Sequence, residues 1–194
     1  MTRLAVTCLA LLLGGCTVVP DRDGEAPAYR GGLERLTTWT ATGRIHIQAD
    51  EESWQATLVW RQQGDAYGIR LIAPLGQGTL GLRGDAAGVV LRTADGKEYA
   101  AAEPEALMLD ILGWRVPVDG MRHWMVGRPD PRWEIRARVE DEAGRLVELR
   151  QAGWHIRYLD YGKDTGIALP RRIRLETERF SLHIVISRWE PGRA

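Results

Sequence analysis

From Gly43 to Arg92 apolar and polar residues alternate. Trp54, Ala56, Leu58 and Trp60 are separated by Gln55, Thr57, Val59 and Arg61, and Tyr67, Ile69, Leu71 and Ala73 by Gly68, Arg70 and Ile72. Leu80 with Leu82, then Val89 with Leu91, continue at period two. Alternation of this kind puts the first-named set on one face of a sheet. Gly64-Asp65, Gly84-Asp85 and Asp95-Gly96 supply turns at hairpin spacing, so antiparallel strands are predicted. The rhythm returns further on with Trp133, Ile135 and Ala137, then Val147 and Leu149 across the Ala143-Gly144 turn. Trp154, Ile156 and Tyr158 follow, then Ile173 and Leu175, then Leu182, Ile184 and Ile186. Trp189 has the opposite parity from that last trio, which predicts a bulge or a different contact there.

Three segments break the alternation. Tyr29 to Trp39 approximates a short helix with Leu33, Leu36 and Trp39 on one face. Glu103-Pro104-Glu105 leads into Ala106 to Leu112 and ends at Gly113, the residue order of a helix with acids and Pro at its start and Gly at its end. Its apolar stripe is Leu107, Met108, Ile111 and Leu112. After Pro117, Asp119 to Val126 predicts a second short helix with Met121, Trp124 and Met125 on one side, closed by Arg128-Pro129-Asp130-Pro131. The expected fold is mainly β with a helical insert. A single antiparallel sheet of about ten or eleven strands should curl into an open, incomplete β-barrel under a helical lid at about residues 103–127. Such a sheet holds either a solid core or a lidded apolar cavity, and the pattern alone leaves both open.

The start of the chain reads differently. Arg3, the apolar run Leu4 to Leu13 and the sequence Leu13-Gly14-Gly15-Cys16 resemble a bacterial lipoprotein signal. A run of about ten residues suits a signal and is too short to span a bilayer. The resemblance implies diacylation of the Cys16 sulfur, cleavage after Gly15 and acylation of the new amino group. Residues 1–15 are then a cleaved signal peptide, 16–28 an acylated N-terminus with a Pro- and Gly-containing flexible tether, and 29–194 the folded domain. Thr17 stands where an Asp commonly marks retention at the inner membrane, so the outer membrane is the expected destination. Two or three acyl chains make such an anchor stable, and with no second long apolar run the chain is expected to be anchored rather than spanning.

Removing the signal takes away Arg3 and leaves 25 basic against 26 acidic side chains, which carries no nucleic-acid footprint. Cys8 leaves with the signal and Cys16 carries lipid, so stability is expected from packing without a disulfide. Candidate chemistry is sparse. Gly76-Gln-Gly78-Thr-Leu-Gly81 matches GxGxxG, but the dinucleotide mechanism needs a helix starting there, and Leu80 to Asp85 continues at strand period. His46, His123, His155 and His183 show no metal-ligand spacing. Asp50, Glu51 and Glu52 read as a solvated turn, and Ser53, Ser181 and Ser187 have no evident base. No enzyme, cofactor or metal site is expected.

The apolar inventory says more. There are eight Trp and one Phe, and every Met after the signal (Met108, Met121, Met125) lies in the helical insert. Met suits surfaces that accommodate variable apolar partners, and equally seals a helix onto a sheet. In Ile72-Ala-Pro74-Leu75-Gly76, Pro and Gly leave Leu75 in a loop, either buried or as an exposed apolar tip that touches membrane.

With these pieces the chain resembles the LolB family of outer-membrane lipoprotein receptors. The likeness runs from the signal through Trp189. Its carriers are the motif at Cys16, Thr42-Gly-Arg44-Ile, Leu58-Val-Trp60-Arg-Gln62, Ala73-Pro-Leu-Gly76, Leu112-Gly-Trp114 with Pro117, and His123-Trp-Met-Val-Gly127-Arg-Pro129. Gln151-Ala-Gly-Trp154-His-Ile-Arg-Tyr158, Leu169-Pro170 and Trp189 complete it. The resemblance implies an open barrel whose apolar interior receives acylated lipoproteins from the periplasmic carrier LolA and passes them, without ATP, to the inner leaflet of the outer membrane. With the alternation above, Trp54, Leu58, Trp60, Ile69 and Leu71 are expected on the cavity wall, and Met108, Ile111, Leu112, Met121, Trp124 and Met125 on the lid's inner face. Leu75 is then the residue that presents cargo to the membrane, and a monomer is expected. Two other classes stay open: a lipoprotein that binds free lipid, and a structural envelope lipoprotein with a filled core. Glu103, Glu105, Asp110, Arg122 and Arg128 are candidate docking charges or plain solvated surface.

Overall fold

Strands β1 (Thr38–Ala49) and β11 (Phe180–Pro191), from opposite ends of the fold, pair along most of their length at the centre of one antiparallel sheet. The structure is a computed structural model that describes residues 25–113, 115–163 and 165–192. The signal peptide, Cys16 and the tether up to residue 24 lie outside the described residues. From β1 the sheet runs outward through β2 (Glu52–Gln63), β3 (Ala66–Ile72), β4 (Thr79–Asp85), β5 (Gly88–Arg92) and β6 (Glu98–Ala101). From β11 it runs through β10 (Leu169–Glu176), β9 (Trp154–Gly162), β8 (Leu146–Gln151) and β7 (Ile135–Glu140). β6 and β7 are the two edges of this 11-stranded sheet, so the barrel stays open.

The connection from β6 to β7 must travel between the two edges, and it carries the helical insert across the concave face. Helix α2 (Pro104–Leu112) starts with Pro104 and Glu105 in its first turn and stops at Gly113, whose φ of 77° is the left-handed conformation that favours glycine. Helix α3 (Val118–Met125) has Asp119 in its first turn and Arg122 in its last, both matching the helix dipole. Both lie where the alternation lapses.

The expected helix at residues 29–39 is displaced. Helix α1 is Glu25–Arg35, and Trp39 belongs to β1, where it is buried and faces Gln62 of β2. Thr38, Trp39 and Thr40 are β-branched and aromatic, and pairing with Arg61 to Gln63 outweighs a helical face built from three apolar residues. Two of the later parity assignments also shift. Val147 is 42% exposed because the register slips between Val139 and Glu140, turning Leu146 inward instead. Trp133 and Ile135 are exposed as well, just before and at the start of the edge strand β7.

The anomaly at Trp189 is a bulge. Thr42 faces Arg188 but Gly43 faces Ile186, so Ser187 is the extra residue, and its hydroxyl donates to the Thr42 carbonyl at 3.0 Å. Parity flips there and brings Trp189 inward, edge-on to Trp39 with ring centroids 5.3 Å apart. Its indole N–H donates to the Pro170 carbonyl at 2.8 Å. Gly43 is required at this point: a Cβ would lie 2.2 Å from the Val185 carbonyl oxygen.

Candidate functional site

The register lines up an apolar wall on the β1–β4 half of the sheet. Ile45 faces Ala56, Ile47 faces Trp54, Leu58 faces Leu71, and Trp60 faces Ile69. Leu71 and Ile69 in turn face Leu80 and Leu82. Across from this wall stand Met108 and Ile111 of α2, Val116 of the linker, and Val118 and Met121 of α3. Between them is a cavity of about 480 Å³, with Leu182, Ile184 and Phe180 completing the side toward β11. That volume falls in the range of ~300–1,000 Å³ for small-molecule sites. The polar side chains on its lining are Glu52, Gln55 and Gln77, all exposed. Such a space recognises apolar length, and its one charged lining residue, Glu52, is exposed to solvent.

Of the residues expected on wall and lid, Trp54, Leu58, Trp60, Ile69, Leu71, Met108, Ile111 and Met121 line the cavity. Trp124 and Met125 do not. Both are fully buried in the half of the sheet beyond it, where Trp124 packs on Trp154 at 6.3 Å between ring centroids. That half is a filled core. The side chain of Leu112 lies outside the described set. Ile45, Ile47, Leu182 and Ile184 also line the cavity, and their period-two spacing was the available signal. Val116 and Val118 gave none, because they flank Pro117 outside any periodic run.

A polar anchor explains why α3 sits where it does. Gln151, 1% exposed, accepts from the Trp124 indole at 2.8 Å and from the Asp130 backbone N–H at 2.9 Å. Its amide nitrogen donates to the carbonyls of Asp130 and Trp133, each at 2.8 Å. The Tyr158 hydroxyl donates to the Trp124 carbonyl at 2.9 Å, adding a tertiary bond to a helix-end acceptor that the Gly127 N–H also reaches at 3.0 Å. Burial would raise the pKa of the Asp130 carboxyl, but the grip of Arg132 holds it below the ordinary carboxylate value. His123, beside this anchor, is pushed down to about 4 by burial and by the Arg128 cation. Arg122 pairs with Asp65 at 2.7 Å, and Arg128 donates to the Leu33 carbonyl.

The mouth lies at the end of β3. Strand β2 outruns its partner, pairing ending at Thr57 with Ile72, so Trp54 and Ala56 stand beside the loop at residues 73–78. Ala73, Gln77 and Gly78 of that loop line the cavity. Within it Leu75 is 97% exposed and held at φ 55°, ψ 25°. An Ala73 N–H bond to the Gly78 carbonyl (3.0 Å) and a Gln77 N–H bond to the Pro74 carbonyl (3.3 Å) close the loop. Exposure of a large apolar side chain in a left-handed conformation breaks two local preferences at one residue, a combination that points to function.

Comparison with known proteins agrees with this architecture. The family model for the outer membrane lipoprotein LolB matches residues 37–189. The outer-membrane lipoprotein LolB of Stutzerimonas stutzeri is 37% identical over 98% of this chain and 96% of its own length. That of Nitrosococcus oceani is also 37% identical, over 98% of each chain. Among solved structures, a LolA superfamily protein from Nitrosomonas europaea superposes with a TM-score of 0.57 at 10% identity, covering 87% of this chain and 94% of that one. A DUF1329 family protein from Desulfovibrio piger gives 0.54 at 8% identity, over 89% and 93%. The last two share the fold.

Proposed function

Since the chain belongs to the LolB family of outer-membrane lipoproteins, we propose that it takes acylated lipoproteins from the periplasmic carrier LolA into its apolar cavity. It then inserts them into the outer membrane without ATP, anchored through lipid on Cys16 with its domain in the periplasm. The observation that carries this reading is a cavity walled by aliphatic and Trp side chains whose mouth adjoins the exposed Leu75. Water opposes exposure of each acyl CH₂ by ~0.8 kcal/mol, so one sixteen-carbon chain represents about 12 kcal/mol and must pass between sheltered sites. Direction then follows from rising affinity along carrier, receptor and bilayer, with the cavity as the intermediate stage. Leu75 provides the point at which cargo leaves the cavity for the membrane.

The test mixes the unacylated chain, residues 17–194, with carrier loaded with a triacylated lipoprotein, in the absence of ATP. Transfer of cargo, abolished when the cargo is deacylated, is the expected result. No transfer by a folded chain would overturn the proposal in favour of a free-lipid binder or a structural role.

A further inference from the structure

The convex face of the same half-sheet carries a second arrangement. Register places Arg61, Gly68 and Arg83 side by side on β2, β3 and β4, and Arg70, Gly81 and Arg92 side by side on β3, β4 and β5. Each row therefore has a glycine flanked by two arginines, about 5 Å to either side, and the rows lie about 7 Å apart along the strands. All four arginines are exposed and border one groove. Arg83 reaches Glu98 at 4.0 Å; among the described residues Arg61, Arg70 and Arg92 form no hydrogen bond or ion pair.

The glycines are the informative part. Glycine inside a strand weakens it and marks either a backbone requirement or a close approach by something else. Here neither Gly68 nor Gly81 has a positive φ, and a Cβ built on either meets nothing within 4 Å. The fold does not ask for them. What they leave is a bare backbone floor between two pairs of guanidinium groups, a shape and charge that suit phosphate. Strand β3 runs from this groove into the loop that exposes Leu75, with Arg70 two residues before the strand ends. We infer that the groove binds the phosphates of anionic membrane headgroups and sets the Leu75 loop against the bilayer. An apolar tip with basic side chains one step behind it is the pattern of an interfacial contact, in which each cation near an anionic surface contributes ~1 kcal/mol. The inference rests on the membrane-delivery reading only for its use, since vesicle binding by the groove does not need the cavity.

The experiment uses the chain without residues 1–16, which takes away none of the described fold, and measures its binding to phosphatidylcholine vesicles with and without phosphatidylglycerol. Wild type should prefer the anionic vesicles. Arg70→Gln with Arg92→Gln should weaken that binding roughly thirty-fold. Gly68→Val with Gly81→Val, which fills the floor at constant charge and favours the strands, should weaken it ten-fold or more while the thermal midpoint holds or rises. Equal binding by the valine variant, or no preference for anionic vesicles, overturns the site. Saturation by inorganic phosphate without such a preference assigns the groove to free phosphate instead. Loss of carrier binding by the glutamine variant, with vesicle binding unchanged, would make the groove a contact for an acidic protein and equally overturn the lipid assignment. Because acyl transfer is read separately, its failure leaves each of these outcomes interpretable.

Discussion

The indole N–H of Trp124 donates to the side-chain oxygen of Gln151 at 2.8 Å, and this bond ties the last turn of α3 to strand β8. The same oxygen accepts from the Asp130 N–H, and the same amide nitrogen serves two carbonyls. One buried side chain thus holds the insert over the filled half of the sheet and leaves the other half roofed but hollow. Gln151→Leu keeps the size and removes every one of these bonds. Each buried group left unpaired costs ~1–3 kcal/mol, so a loss of about 3–5 kcal/mol in urea unfolding is expected. A loss below about 1 kcal/mol would show that the anchor does not hold the insert.

Protonation provides a second handle on the anchor. His123 titrates at about 4 in the folded chain against an ordinary 6.5, because burial and Arg128 disfavour its cation. Between those values the unfolded chain binds more protons than the folded one. Stability is therefore flat above about pH 6.5 and falls as pH drops toward 4, with a slope no steeper than ~1.4 kcal/mol per unit. Asp130, whose pKa is lowered from 3.8, adds stability that is present above that value and lost below it. His123→Gln should flatten the window from 6.5 to 4 in a pH series of denaturant midpoints and leave the more acidic loss in place. An unchanged slope in that variant would count against the His123 assignment.

Most of the sheet was legible because its strands are buried on one face only, so burial writes itself into period two. The wall residues Leu58, Trp60, Ile69 and Leu71 are legible for that reason, and so was the parity break at Trp189. The lid was only half legible. Periodicity shows that Met121, Trp124 and Met125 share one side of a short helix, but not over which part of the sheet that side lies. The position is fixed by Gln151 and Tyr158, polar partners on β8 and β9 that no local pattern links to α3. The bulge in β8 was hidden for a related reason: the slip that turns Val147 outward arises from pairing with β7, not from its own neighbours.

Ala56 offers a direct test of the hollow half. It lines the cavity and faces Ile45, in a part of the wall with open space in front of it. Ala56→Phe should fold with stability within about 1 kcal/mol of wild type, since the ring enters unoccupied volume. It should displace several methylenes of a bound chain at ~0.8 kcal/mol each, weakening a dansyl-labelled fatty acid ten-fold or more. Fluorescence titration reads this, and unaltered affinity would show that apolar ligands bind elsewhere.

Leu75 tests whether exposure and strain at the mouth serve delivery. A non-glycine residue in the left-handed region carries a penalty of ~1–2 kcal/mol, and the side chain gains nothing from burial to offset it. Asn tolerates that conformation and is polar, so Leu75→Asn should raise stability by roughly 0.5–1 kcal/mol. The same variant should accept cargo from the carrier normally and release it poorly into vesicles, because the apolar tip is gone. Leu75→Glu should show the same split with a stronger defect in release, since a charge at the tip opposes entry into the bilayer. Stability and delivery moving in opposite directions on one exposed residue would mark Leu75 as kept for its contact with the membrane. Delivery unaffected in both variants would remove that role and leave the strained loop to be explained by the shape of the cavity mouth.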